Sequence, residues 1–344
     1  MKKILFLINY PTPYQIQFFD TLKKIFKIKV IFIGKKLRNY NFKLIKNNYS
    51  EILENSKDKL KLIDKIFKDL NPNTVIIGGY KLKYSKYLSQ ISIRNNTKII
   101  YWLEKINLKN KAKQIMVHFA LKFFLRNSNG ILAVGNEAKS FYIKYNKNTI
   151  NFPYSIKIKD FTKKFLRNKK INFLYVGQMI ERKNILNLIT AFKSIKKNNI
   201  TLTLVGEGVQ KNIIKSKIKN DKRIKIQNFK NAKKLQNYFM KSDVFILPSN
   251  YDGWGVVITE AMSHSNAIIT TSSSGVTKDL IKNGFNGKII NPSVKSIEQG
   301  MIYYIKNKEL IKKHGNENKK IIFKSKSNAM NASNNLKKYL SKLY

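Results

Sequence analysis

The stretch "SDVFILPSNYDGWGVVITEAM", Ser242–Met262, carries three patterns in succession. It begins with an unbroken apolar run, "VFILPS" (244–249), as expected of a strand buried on both faces. A bend follows in which Gly253 and Gly255 flank Trp254, and a helix is then expected over about 256–264. Strand, glycine turn and helix in that order form the joint of a doubly wound parallel sheet. Such sheets bind ligands outside the carboxyl ends of their strands.

The joint recurs along the chain. In the first half, strands are expected at 3–9, 28–34, 74–80, 97–104 and 130–135, with helices at 14–26, 58–70 and 112–128. The rhythm breaks around 150–170, at Pro153 and a dense charge cluster. It restarts with strands at 172–177, 202–208, 224–229, 267–271 and 287–292, besides 244–249. The intervening helices are expected at 184–197, 209–218, 231–240 and 276–282, and the tail from 296 to 344 reads as helical. The expected fold class is α/β, with two Rossmann-like doubly wound parallel-sheet domains facing a cleft. The expected division is a first domain over 1–153, a linker over 154–170, a second domain over 171–325, and a helical tail over 326–344 that packs back on the first domain.

Composition narrows the function classes. The 344 residues are 43% hydrophobic, with 21 Phe and 18 Tyr, enough to fill two cores. The formal net charge of +49 suggests nucleic acid at first. However, only six of the 68 basic residues are Arg, and the lysines are spread along the whole length. Specific reading of bases and phosphates favours Arg, so no nucleic-acid partner is expected. An anionic membrane surface or acidic small molecules fit such a surface better. With no Cys and three widely separated His (His118, His264, His314), neither a metal site nor a cofactor is expected. The start "MKKILFLINYPTPYQ" has a basic lead, but its apolar run is only seven residues and lacks a cleavage site. It reads as a buried first strand, and the expected location is cytoplasmic, peripheral at the inner face of the membrane.

The chemistry-bearing residues cluster after strands. In "YVGQMIERKN", Gly177 permits a tight turn, and Arg182 and Lys183 stand at the opening of a helix. Two cations there oppose the helix dipole unless an anion joins them; two ordinary surface cations remain the alternative. In "LVGEGVQ", Gly206 and Gly208 mark another strand end, although a plain strand-to-helix turn explains them equally. In the opening stretch, the N–H groups of about Gly255–Val257 can hold a phosphate. Glu260, a turn into the helix, can accept bonds from sugar hydroxyls. Asp252 would repel a diphosphate, so it is expected at the sugar end of such a ligand. "TTSSSGVTKDLIKNGFNG" (270–287) adds a Ser/Thr-Gly turn, with Asp279 in a short helix. In the first half, Tyr14, Tyr80, Trp102 and Glu104 lie at strand-end loops and are candidates for binding a sugar acceptor. His118 falls on an apolar helix face and reads as a core residue, whereas His264 is a candidate for lying near the site.

In combination, "YVGQMIERKNILNLITAF", "LTLVGEG", "SDVFILPSNYDGWGVVITEAM" and "GVTKDLIKNGFNGKIINP" resemble the donor domain of a retaining GT-B glycosyltransferase, of family four or glycosyl transferases group 1. The order and spacing match from about 172 to 292, and the first half only loosely. "PTPYQIQFF" and "YDGWGVV" resemble members that build bacterial surface polysaccharides such as lipopolysaccharide, O-antigen or capsule. The resemblance implies a nucleotide-sugar donor, a saccharide or lipid-linked acceptor, front-face attack with retention, and no metal. It implies that Glu260 holds the nucleotide ribose, that Asp252 lies by the donor sugar, and that Lys183 grips the diphosphate. Gly255 and Val256 would offer backbone to the phosphates. Departures are Asp252 where Glu is usual, Gln178 where Arg is usual, Asn228 for a glycine after the third strand, and Ser265 and Ala267 for the Gly and Pro after the "EAM" helix. Asn228 is a residue that tolerates left-handed geometry, and Arg182 is expected to balance the charge an Arg at position 178 would have met. A GT-B nucleotide-sugar epimerase and a non-enzymatic basic module for membranes or nucleic acid are the alternatives.

Overall fold

The computed structural model describes residues 1–35, 47–79, 83–106, 111–159, 170–228 and 232–344. The chain divides into two units: Met1–Lys157 with Ala329–Tyr344, and Ile158–Asn328.

Among the described residues, unit 1 is built on seven strands: β1 (Lys3–Ile8), β2 (Lys27–Phe32), β3 (Ser50–Ile52), β4 (Thr74–Ile77), β5 (Lys98–Leu103), β6 (Gly130–Ala133) and β7 (Thr149–Asn151). They lie in the order β3-β2-β1-β4-β5-β6-β7, and all neighbours are parallel. The central strands are apolar throughout because helices cover both faces. Alternate residues of β1 show it. Leu5 and Leu7 join Val75, Ile77, Ile63 and Phe67 on one side. On the other, Phe6 meets Phe19 edge-on at 4.9 Å between ring centroids, within an aromatic layer that includes Phe18, Trp102 and Phe152.

The final helix, Ala329–Leu343, belongs to this unit and packs on the helix Pro13–Leu22. Its entry is fixed by the Ala329 N–H donating to the Ile156 carbonyl at 2.9 Å. Its end is fixed by the Tyr339 hydroxyl donating to the Asn148 carbonyl and the Tyr344 hydroxyl donating to the Asn73 carbonyl.

Unit 2 carries six strands among the described residues: β8 (Ile171–Val176), β9 (Ile200–Val205), β10 (Ile224–Gln227), β11 (Val244–Leu247), β12 (Ala267–Thr271) and β13 (Gly287–Ile290). Their order is β10-β9-β8-β11-β12-β13, again all parallel. Both sheets are therefore doubly wound, and in each the order reverses beside the first strand, between β1 and β4 and between β8 and β11. Among the described residues, no helix is long and apolar enough to cross a membrane.

Several expected spans are shortened. The first helix ends at Leu22, because a turn at 23–26 must return the chain to β2, which starts at Lys27. The strands expected at 28–34, 202–208 and 244–249 stop at Phe32, Val205 and Leu247, where the backbone leaves the ladder for the following loops. The strand β3, the helices Lys83–Arg94 and Asn136–Tyr142, and the strand β7 lie outside the expected rhythm; β7 and β3 are three residues each. His118 is exposed rather than in the core, and its Nδ1 lies 2.9 Å from the Tyr145 hydroxyl.

Candidate functional site

The switch point between β8 and β11 splays the loops that follow these two strands, which is where an open α/β sheet makes room for a ligand. The loop after β8 runs through a short 3-10 turn, Glu181–Lys183, into the helix Ile185–Ser194. Asn184 joins them in the left-handed region, at φ 60°. An asparagine tolerates this better than most residues. Its buried side-chain amide donates to the carbonyls of Pro248 at 3.1 Å and Pro292 at 2.6 Å, tying together the loops after β8, β11 and β13. Sequence reasoning missed this residue; nothing in its spacing marks it.

The loop after β11 is held from the other side. The Thr271 and Ser273 hydroxyls both donate to the Ser249 carbonyl at 2.7 Å. The Gly275 and Val276 amides donate to the carbonyls of Gly253 and Trp254 at 3.1 and 2.9 Å. The chain then turns at Gly255, φ +88°, a conformation that leaves no room for an L side chain's Cβ without strain. From there the helix Val256–Ser263 begins. No side chain caps it; the Ile258 amide donates to the Gly255 carbonyl at 2.9 Å, and the amides of Val256 and Val257 have no helix carbonyl behind them.

Asp252 and Lys183 meet across these loops, with Lys183 Nζ to Asp252 Oδ2 at 2.5 Å. The Lys183 side chain is 8% exposed and that of Asp252 13%. Arg182 Nη1 lies 3.5 Å from Asp252 Oδ1 and donates to the Tyr251 carbonyl at 3.0 Å. Burial holds the Lys183 ammonium below its ordinary range, and the Asp252 charge partly restores it. The expected sugar-end carboxylate is thus the counter-ion of the expected diphosphate cations.

Glu260 is different. It is partly buried, its carboxylate has no hydrogen-bond or ion-pair partner among the described residues, and loss of solvation pushes its pKa up to about 7. Two buried donors in the loop after β11, the Ser249 hydroxyl and the Trp254 indole N–H, also lack a partner among the described residues. Unsatisfied buried polar groups are few in native proteins, and several around one bend point to groups that a ligand completes.

The remaining expectations resolve residue by residue. Gly177 and Gly206 serve a close approach of backbone: a Cβ on Gly206 would fall 1.9 Å from the Gly177 carbonyl oxygen. Asn228 is exposed and does not use the left-handed geometry an asparagine tolerates; its side chain accepts from Lys211 Nζ at 2.7 Å. Ser265, by contrast, does keep a glycine's conformation, at φ 56°. An L residue there costs roughly 1–2 kcal/mol. Ser265→Gly should therefore stabilise the protein by about 1 kcal/mol and raise Tm by about 2 °C; a lower Tm in a thermal melt would show that the serine contributes something its backbone conceals. His264 packs behind the helix, its Nδ1 2.8 Å from the Glu260 carbonyl and its ring stacked on Phe239.

Unit 1 has its own cavity, about 420 Å³, at the carboxyl ends of β1, β4 and β5. Tyr14 and Glu104 line it together with Asn9, Gly79, Trp102 and Tyr154. Tyr154, which sequence reasoning passed over, packs against Tyr14 at 5.3 Å, and burial with the nearby Glu104 charge holds its hydroxyl protonated. Trp102 is 6% exposed and donates its N–H to the Phe152 carbonyl, so it walls the cavity. Tyr80 lies outside the described residues.

Both units are all-parallel doubly wound α/β domains, and unit 2 brings cations, an unpartnered carboxylate and a glycine bend to its switch point. Residues 157–321 match the family model described as glycosyl transferases group 1. The chain is 26% identical over 271 residues to an Escherichia coli UDP-Gal:alpha-D-GlcNAc-diphosphoundecaprenol alpha-1,3-galactosyltransferase, covering 72% of this chain and 64% of that one. It is 27% identical over 203 residues to the Staphylococcus aureus capsular polysaccharide biosynthesis glycosyltransferase CapM, covering 56% and 51%. These matches span less than two thirds of either relative. The fold matches that of Anabaena HepE, solved in complex with UDP, with a TM-score of 0.76 at 14% identity over 99% of this chain and 100% of that one. The fold is GT-B, and the match to glycosyl transferases group 1, just under half of the chain, falls almost wholly within unit 2.

Proposed function

We propose that the protein transfers a glycosyl group from a nucleoside-diphosphate sugar to a saccharide or lipid-linked acceptor, with retention at the anomeric carbon and without a metal ion. The observation that carries this reading is the polarity of the glycine bend. Lys183 and Arg182 stand at its start, beside Asp252, and the unpartnered Glu260 stands a turn into the helix beyond it. A nucleotide sugar has the complementary order of sugar, diphosphate and ribose.

In the reaction, the bond between the anomeric carbon and the diphosphate oxygen breaks, and that oxygen takes the charge. Lys183, Arg182 and the first-turn amides of the helix at Val256 and Val257 stabilise it, the role a divalent ion plays elsewhere. The acceptor hydroxyl forms the new bond from the same face and passes its proton to the departing diphosphate. The aromatic and acidic cavity of unit 1, with Tyr14, Glu104 and Trp102, fits a sugar acceptor. The named functions of the similar E. coli and S. aureus proteins favour bacterial surface polysaccharide synthesis, at the inner face of the cell membrane if the acceptor is lipid-linked.

The test is to incubate the protein with UDP-, GDP- and ADP-hexoses and acceptor, with and without EDTA, and to analyse the product by NMR. Transfer should survive EDTA and keep the donor's anomeric configuration. Strict dependence on added Mg2+ or Mn2+, an inverted product, or an altered donor without transfer would overturn the respective part of the proposal.

A further inference from the structure

We propose that unit 1 docks onto an anionic lipid bilayer through the face formed by its helices Lys83–Arg94 and Lys111–Leu125. Phe119 and Phe123, four residues apart on the second helix, are 66% and 69% exposed, and Ile93 on the first is 48% exposed. A groove of about 320 Å³ between the helices is lined by Lys86, Gln90, Ile93, Phe123 and Arg126. Lys86 Nζ sits 5.4 Å from the Phe124 ring and the Arg126 guanidinium 5.9 Å from the Phe123 ring. Neither helix contains an acid, while Lys83, Lys86, Arg94, Lys122 and Arg126 are all exposed around the apolar residues.

Exposed aromatics grouped on one patch mark an interaction surface. Its chemistry selects the occupant. Phenylalanines that can enter the acyl boundary, ringed by cations at headgroup level, are the pattern of an interfacial helix. A second copy of the chain would bring cation against cation, which disfavours self-pairing. This inference rests on the membrane-side location proposed above, but it uses none of the donor-site residues, so the two can fail separately.

The experiment is flotation of the full-length protein with vesicles of phosphatidylcholine alone or mixed with phosphatidylglycerol. The variants are Phe119→Ser with Phe123→Ser, and Lys86→Glu with Arg126→Glu; the melting shift on adding UDP serves as a control for folding and the donor site. The wild type should float with the anionic vesicles and far less with the neutral ones. Each double variant should bind about tenfold more weakly or worse, with the UDP shift unchanged. Failure of the wild type to float would overturn the docking surface. So would undiminished binding by the phenylalanine variant, which would assign attraction to overall charge. A wild-type dimer that the phenylalanine variant abolishes in sizing experiments would overturn it in favour of self-association, and displacement of the patch by single-stranded DNA rather than by lipid would overturn it in favour of nucleic acid. A UDP shift lost with docking intact would instead contradict the donor-site reading alone.

Discussion

Glu260→Ala should lower affinity for the nucleotide-sugar donor about 100-fold while leaving the fold intact. A carboxylate that accepts two hydroxyl hydrogen bonds gains about 1.5–3 kcal/mol from each, because the acceptor is charged. Glu260 has no such partner among the described residues, and loss of solvation pushes its pKa up to about 7 from an ordinary 4.5. The sign of the pH effect follows. Between these two values the folded chain holds a proton that the unfolded chain releases, so stability falls as pH rises through the window. The cost is complete above about pH 7 and amounts to roughly 3 kcal/mol.

Glu260→Gln should therefore raise Tm at pH 8 and barely change it at pH 4, while still weakening donor binding. Wild-type donor affinity should rise with pH up to about 7 and level off above, since only the ionised group accepts both hydroxyls. An unchanged Tm at pH 8 would show that Glu260 is better solvated than its surroundings suggest; a donor affinity independent of pH and of this side chain would remove it from the site.

Lys183→Ala should reduce kcat/KM by about 10²–10³-fold, the range seen when one pre-organised stabiliser of a developing oxyanion is removed. Lys183→Arg should not rescue it, because the side chain is 8% exposed and the guanidinium fork needs more room. The substitution also strands Asp252. Breaking a buried pair costs about 3–5 kcal/mol when the surviving charge has no alternative. Here Arg182 is within 3.5 Å and softens that cost. Combining Lys183→Ala with Asp252→Asn separates the two effects. The double variant should recover stability relative to Lys183→Ala but not activity. Recovery of both would mean that Lys183 matters only as the partner of Asp252.

The fold was legible because parallel strands covered on both faces must be apolar end to end, as "VFIL" and "KILFLI" are. Positions at sheet edges were not. β3, "SEI", has one face open and no apolar signature. The helix Lys83–Arg94, rich in Tyr and Ser, carries its apolar residues too sparsely to stand out. At the site, the residue types and their order along the bend could be read. Their pairing could not, since Lys183 and Asp252 are 69 positions apart and only the β8–β11 adjacency joins them. For the same reason Asn184, whose amide bonds residues 64 and 108 positions away, left no trace in the local pattern. His118 was misread because helical spacing shows that a face is apolar but not whether anything covers it.

Calorimetric titration of the purified protein and of Glu260→Ala with UDP-glucose, UDP-galactose, GDP-mannose and ADP-glucose tests the donor site most directly. At least one nucleotide sugar should bind the wild type with a single site per chain, and its affinity should fall about 100-fold in the variant, whose melt at pH 4 is unchanged. Binding of none of the four, or equal affinity in both proteins, would contradict the assignment of the Lys183, Asp252 and Glu260 loops as a nucleotide-sugar site.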